Sequence, residues 1–191
     1  LEFRRVLFRS RDINRFLTSD YVPLYNPVEE YLYDTGRWDG KDRIRALADL
    51  VPCHNPHWQE LFYRWFLGMV AHWRGMDRQH GNNTSPLLVG SQGFRKSTFC
   101  RILLPPELRF GYTDSIDFKS RQEAERSLGR FLLVNIDEFD QININQQGFL
   151  KHLLQKPAAN LRKPYGSTIR EMRRYASFIG TSNQKDLLSD P

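Results

Sequence analysis

Three short apolar runs, Pro86–Val89, Phe131–Ile136 and Tyr175–Ile179, are separated by stretches of helical spacing, and each run ends in small, polar or charged residues. An apolar run without alternation marks a strand buried on both faces. Strands that alternate with helices argue for a parallel sheet covered on both sides, an α/β fold. Such sheets bind ligands at the C-terminal ends of their strands, so the residues that follow each run carry the first candidates for chemistry. Elsewhere, Leu61, Phe62, Trp65, Phe66, Met69, Val70 and Trp73 fall three and four apart and predict one broad core-facing helical face over Gln59–Arg74. Asn26-Pro27 can cap and start a helix through Val28, Tyr31 and Leu32. Further helices are expected over Lys96–Leu103 and Asn145–Gln155. The polar loop Gln79–Ser85 divides a helical N-terminal segment, residues 11–80, from the sheet-forming part, residues 81–191.

Composition excludes several classes. With 40% hydrophobic and 13% aromatic residues the chain is too apolar for a disordered protein. No run of about 18 apolar residues occurs, so no membrane span is expected. Cys53 and Cys100 are too few for a disulfide framework and sit in no metal-spacing motif, which makes a reducing, cytoplasmic setting the default. The five histidines form no HExxH-type pattern, and no serine lies in GxSxG. Residues 1–10, LEFRRVLFRS, resemble the translation of a sequencing-adapter oligonucleotide and lack the apolar core of a signal peptide. Without them the net charge falls from +6 to +4, a modest basic excess. The stop at Asp190-Pro191, directly after a strand and loop, fits a fragment of a larger protein.

The segment Leu87–Thr98 runs strand, glycine turn, helix, the context of a phosphate-binding loop. Gly90, Ser91, Gln92, Gly93, Phe94, Arg95, Lys96, Ser97 and Thr98 are the nucleotide-binding candidates. Backbone N–H groups would surround the β-phosphate, Lys96 would reach the β- and γ-phosphates, and Ser97 would ligate Mg²⁺. The strict pattern has glycine where this chain has Arg95. In helical φ/ψ an arginine is allowed there and adds charge near the phosphates, whereas at φ > 0 it is strained and the site suffers. The alternative is a basic helix start after an ordinary turn.

The second run delivers Asp137-Glu138 at its end, and the third ends in Gly180-Thr181-Ser182-Asn183. In this reading ATP and Mg²⁺ are the cofactors, Asp137 holds the metal and Glu138 polarises the attacking water. Asn183 orients that water and senses the γ-phosphate. Taken singly, a strand ending in two acids can be a solvated edge, and Ser182-Asn183 a turn or helix cap. Trp38, in the turn Trp38-Asp39-Gly40-Lys41, is expected to be a packing anchor.

With these motifs the chain resembles the virulence-associated protein E family, P-loop ATPases of primase-helicase-like proteins related to superfamily 3 helicases. The resemblance runs from about Tyr25 to the end, and its carriers are Asn26-Pro27-Val28, Trp38-Asp39-Gly40-Lys41, Arg43-Ile44, GSQGFRKSTF, NIDEFD, RKPYG and RRYASFIGTSN. It implies an AAA+-like core with the last strand inserted between the first two motif strands, assembly into a homo-oligomeric ring, and action on DNA. By the same analogy the segment before the last strand is a channel hairpin. Its Arg162, Lys163, Arg170, Arg173 and Arg174 would contact single-stranded DNA, with Tyr165 as a stacking partner. Two other readings stay open: Arg162 or Arg173 facing a neighbouring subunit's nucleotide, or a solvated basic face. For the whole chain the alternatives are a DNA motor and a nucleotide-dependent DNA-binding switch with weak or no hydrolysis. A P-loop kinase is disfavoured by Asp137-Glu138.

Overall fold

The computed structural model of the chain describes residues 10–22, 25–162 and 169–184. Helix α1, Ser10–Leu17, buries no residue. Helix α2, Pro27–Asp34, starts as the dipeptide predicts: the Asn26 side chain accepts from the N–H groups of Val28 and Glu29, and Pro27 sits where its missing donor is not needed. Asp42 caps the short α3, Arg43–Ala48, in the same manner. Helix α4, Trp58–Arg74, buries Phe62, Trp65, Met69, His72 and Trp73, whereas Leu61, expected on the core-facing side, is 45% exposed. The rings of Trp58, Phe62 and Trp65 follow one another at centroid distances of 5.2 and 5.4 Å. Trp38 is 76% exposed, and among the described residues its indole N–H is held only by the Lys41 carbonyl, at 3.2 Å, which corrects the expectation of a packing anchor.

The second part begins with β1, Leu87–Val89, and α5, Lys96–Ile102. A 3-10 turn over Pro106–Gly111 leads to β2, Tyr112–Thr113, then α6, Arg121–Arg130, and β3, Leu133–Ile136. A 3-10 turn over Phe139–Gln141 precedes α7, Ile144–Gln155, which carries a reciprocal cap between Asn143 and Gln146. Strands β4, Ala158–Arg162, and β5, Ile169–Arg173, form an antiparallel pair, and β6, Ser177–Ser182, closes the order. Four strands make one parallel sheet in the order β1-β6-β3-β2. The last strand therefore lies between β1 and β3, the arrangement that the resemblance implies.

Every residue of β3 and β6 is buried, because successive side chains enter opposite layers. Leu133 and Ile179 join Phe62, Trp65, Met69, Leu104 and Leu108 on the side of α4 and α5. Val134 and Phe178 join Ala124, Leu128, Phe149 and Leu153 on the side of α6 and α7. Asn82 ties the N-terminal helices to the sheet, donating to the Trp65 carbonyl at 3.1 Å and the Ser177 hydroxyl at 3.0 Å.

Candidate functional site

The strand register decides which side chains meet. Ile136 pairs with Gly180 and Val89 with Ser182, so the last two residues of β6 stand beyond the end of β3 and beside the turn after β1. Thr181 and Ser182 thus reach residues 137–140, while the Gly90 N–H donates to the Ser182 carbonyl at 3.2 Å and holds the loop against β6. A cavity of about 320 Å³ opens at this edge, lined by Gln92, Gly93, Arg95, Lys96, Ser97, Thr98, Asp137, Glu138, Thr181, Ser182 and Asn183.

The loop before α5 turns at Gly93, φ 92°, a conformation closed to most side chains. Arg95 then takes φ 55° and ψ 31°, left-handed, and its carbonyl accepts the first helical bond from Phe99 N at 2.9 Å. The comfortable helical geometry considered for Arg95 is therefore not the one adopted. Lys96 Nζ donates to the Gly90 carbonyl at 2.6 Å, the Ser91 carbonyl at 3.0 Å and Asn183 Oδ1 at 3.0 Å. Ser97 Oγ donates to Asp137 Oδ1 at 2.9 Å, and the Thr181 hydroxyl donates to the same oxygen. Residues 87 and 40 positions apart are joined here by side-chain hydrogen bonds.

Glu138 also has a left-handed backbone, φ 52°, and its carboxylate accepts from Gln141 Nε2 at 2.6 Å. Two left-handed non-glycine residues thus line one cavity, where strained backbone commonly collects. Ser182 Oγ donates to Asp140 at 2.8 Å, and that bond, aided by the Lys96 charge, holds the Asp140 carboxyl below its usual range. Thr181, Asp140 and Gln141 are supporting residues that sequence reasoning did not single out, although Asp140 closes the NIDEFD motif. Cys100, beneath the site, is fully buried, and burial first, then the Asp137 charge, pushes its thiol up to about 12. Such a thiol is inert at neutral pH.

The DNA candidates divide. Arg162 and Arg170 lie on β4 and β5, paired with Ile169 and Leu161 respectively, while Lys163 and Tyr165 fall outside the described residues. Arg173 and Arg174 are corrections. Arg174 is 1% exposed and donates to the carbonyls of Ala176, Leu153, Leu154 and Lys156, so it closes the C-terminus of α7 and presents no charge to solvent. Arg173 is spent on the His72 and Trp73 carbonyls at the end of α4 and lies over the Tyr175 ring, 4.7 Å from its centroid. Neither is free to grip a DNA backbone in this arrangement.

Fold and cavity define a parallel α/β protein with a glycine-loop site at its strand ends. Residues 32–191 match the model of the virulence-associated protein E-like domain, and the chain belongs to that family. Among curated proteins no match is found. Two solved structures are similar in fold: the apo structure of the NrS-1 C-terminal region (305–718), at 17% identity, TM-score 0.52 and 74% of this chain, and an A-form apo structure of the same region, at 16%, 0.50 and 73%. The chain spans about a third of the length of those structures, 33% and 32%. Among the described residues no helix is long and apolar enough to cross a membrane.

Proposed function

We propose that this chain is the ATP-binding core of a cytoplasmic, DNA-acting replication motor of a phage or mobile element, a P-loop ATPase of the AAA+ and superfamily 3 helicase type. The observation that carries this reading is the convergence of Lys96, Ser97, Asp137, Glu138 and Asn183, from three neighbouring strand ends, on one cavity. Residues 11–80 form the helical support and residues 81–191 the nucleotide core, and the chain is one part of a longer protein that assembles into a ring.

In this reading the 90–98 loop wraps the phosphates, and Lys96 exchanges its two loop carbonyls for phosphate oxygens. Ser97 Oγ and Asp137 Oδ1, 2.9 Å apart, form an oxygen-only pair suited to a hard cation. Water and phosphate oxygens would fill the rest of the Mg²⁺ shell. Bound there, Mg²⁺ supplies neutralisation of phosphate charge. Glu138 accepts the proton of the attacking water, Asn183 orients that water, and Thr181 and Gln141 position the two carboxylates. Single-stranded DNA is the proposed track, contacted through the β4–β5 hairpin by Arg162, Arg170, Lys163 and Tyr165. The test is ATP turnover by the longer protein with and without single-stranded DNA. Glu138→Gln should bind nucleotide and lose turnover at least 100-fold, and unchanged turnover would overturn the assignment.

One observation favours a second reading. The left-handed Arg95 burdens the loop at the position where the strict pattern has glycine. A nucleotide-dependent DNA-binding switch would then show ATP-responsive DNA binding with hydrolysis at background.

A further inference from the structure

The 3-10 turn after β3 carries a carboxylate that the proposed chemistry does not use. Left-handed Glu138 starts this turn, the Gln141 N–H closes it on the Glu138 carbonyl at 2.8 Å, and Phe139 anchors it in the layer of α6 and α7. Asp140, in its middle, is half-buried and is not among the residues that line the nucleotide cavity. Among the described residues no cation pairs with it. Its partners belong to the end of β6 instead.

Because Ile136 pairs with Gly180, β6 runs two residues past β3, and Ser182, 1% exposed, stands against the turn. Its Oγ is 2.8 Å from Asp140 Oδ1 and 3.1 Å from the Gln184 carbonyl, and it accepts from the Gln184 N–H at 3.0 Å. One hydroxyl proton serves one acceptor, and the nearer, ionised carboxylate takes it. The Asn183 N–H faces the same carboxylate. Asp140 thus holds the backbone that carries Asn183, whose Oδ1 accepts from Lys96 Nζ at 3.0 Å. A carboxylate within the field of Lys96 opposes anion binding, so charge is not what it offers a nucleotide site. What it supplies is geometry: it ties the turn that bears Glu138 to the strand end that bears Asn183.

We infer that Asp140 is the positioning residue of the γ-phosphate sensor, acting through the Ser182 hydroxyl and the Asn183 backbone to hold the Asn183 amide at Lys96. This role rests on the ATP-binding reading of the 90–98 loop and adds to it the residue that lets the site tell ATP from ADP.

The test titrates fluorescent ATP and ADP analogues, with Mg²⁺, into the chain and its variants and reads the ratio of the two dissociation constants. The parent should prefer ATP. Asp140→Ala should shrink that preference about tenfold, the worth of one aimed hydrogen bond at a charged group. Asp140→Asn drops the charge but keeps an acceptor for Ser182 and Asn183, so it should retain the preference. Ser182→Ala removes the donor and should shrink the preference in the same direction, which decides the matter if circular dichroism shows Asp140→Ala unfolded. In an Asn183→Ala background, Asp140→Ala should change the ratio no further. Equal ratios in Asp140→Ala and Asp140→Asn, or an Asp140→Ala effect that persists without the Asn183 amide, would overturn the role. So would nucleotide binding that depends on Lys96 yet shows no preference for ATP, which leaves the ATP-binding reading standing. Nucleotide binding that Lys96→Ala leaves unchanged would remove that reading and the sensor role together.

Discussion

Replacing Arg95 separates backbone strain from side-chain charge. At φ 55° and ψ 31° an L-residue is in the left-handed region, at a cost of about 1–2 kcal/mol relative to the right-handed helix. Glycine escapes that cost but gives back about 0.5–1 kcal/mol through its freer unfolded chain. The side chain is exposed and forms no ion pair among the described residues, so its charge adds little to stability. Arg95→Gly should therefore stabilise the chain by about 0.5–1 kcal/mol, and Arg95→Ala, which keeps Cβ, should change it by less than about 0.5 kcal/mol. Arg95→Val should cost about 1 kcal/mol or more, because a β-branched side chain tolerates this region worst. Urea denaturation followed by the fluorescence of buried Trp65 and Trp73 measures all three, with a constant slope as the check on two-state behaviour. A glycine variant that is less stable than the parent, beside a valine variant that is tolerated, would refute the left-handed assignment and the strain argument with it.

Three further outcomes follow from the packing. A Cβ at Gly81 would meet the Leu154 carbonyl and lie 2.9 Å from the Gln155 carbonyl carbon, so Gly81→Ala should lose about 2 kcal/mol; an unchanged melting temperature would contradict this approach of the loop to α7. His72 titrates near 4 in the fold against 6.5 when exposed, so the unfolded chain takes up a proton that the folded chain refuses. Stability is then complete above about pH 6.5 and falls by up to roughly 3 kcal/mol as pH drops towards 4, a slope that His72→Phe should flatten in denaturation curves at pH 7 and 4.5. Trp38→Ala, at an exposed indole, should move stability by less than about 0.5 kcal/mol in the same assay, and a larger loss would restore the anchor role that its exposure denies.

Much of this architecture is legible in the residue order because the informative segments are apolar and long. The α4 face, the β3 run and the Asn26-Pro27 start are found within a residue or two of where periodicity and capping place them. Strand β6 is displaced towards its polar end, Ser177–Ser182, since Gly180, Thr181 and Ser182 pair with β1 although they are not apolar. Among the elements that sequence reasoning did not name, two show why. Strand β2 has two residues, too few for any period, and α6 buries only Ala124, Ser127 and Leu128 in an otherwise charged sequence. For the site, the motif residues on three strands could be named from sequence, and their meeting depends on register that only the sheet supplies. The left-handed backbone of Glu138 and the burial of Arg174 had no sequence signal: one is a local dihedral, the other the docking of a hairpin foot against two helix ends.

The central claim is that the Lys96–Ser97–Asp137 cavity holds Mg²⁺-ATP, and the most direct test is a titration of a fluorescent ATP analogue into the chain beside Lys96→Ala, with and without Mg²⁺. The account predicts saturable, micromolar, Mg²⁺-dependent binding that Lys96→Ala abolishes while the fold is retained. Equal binding by parent and variant, or none by a folded parent chain, would contradict it.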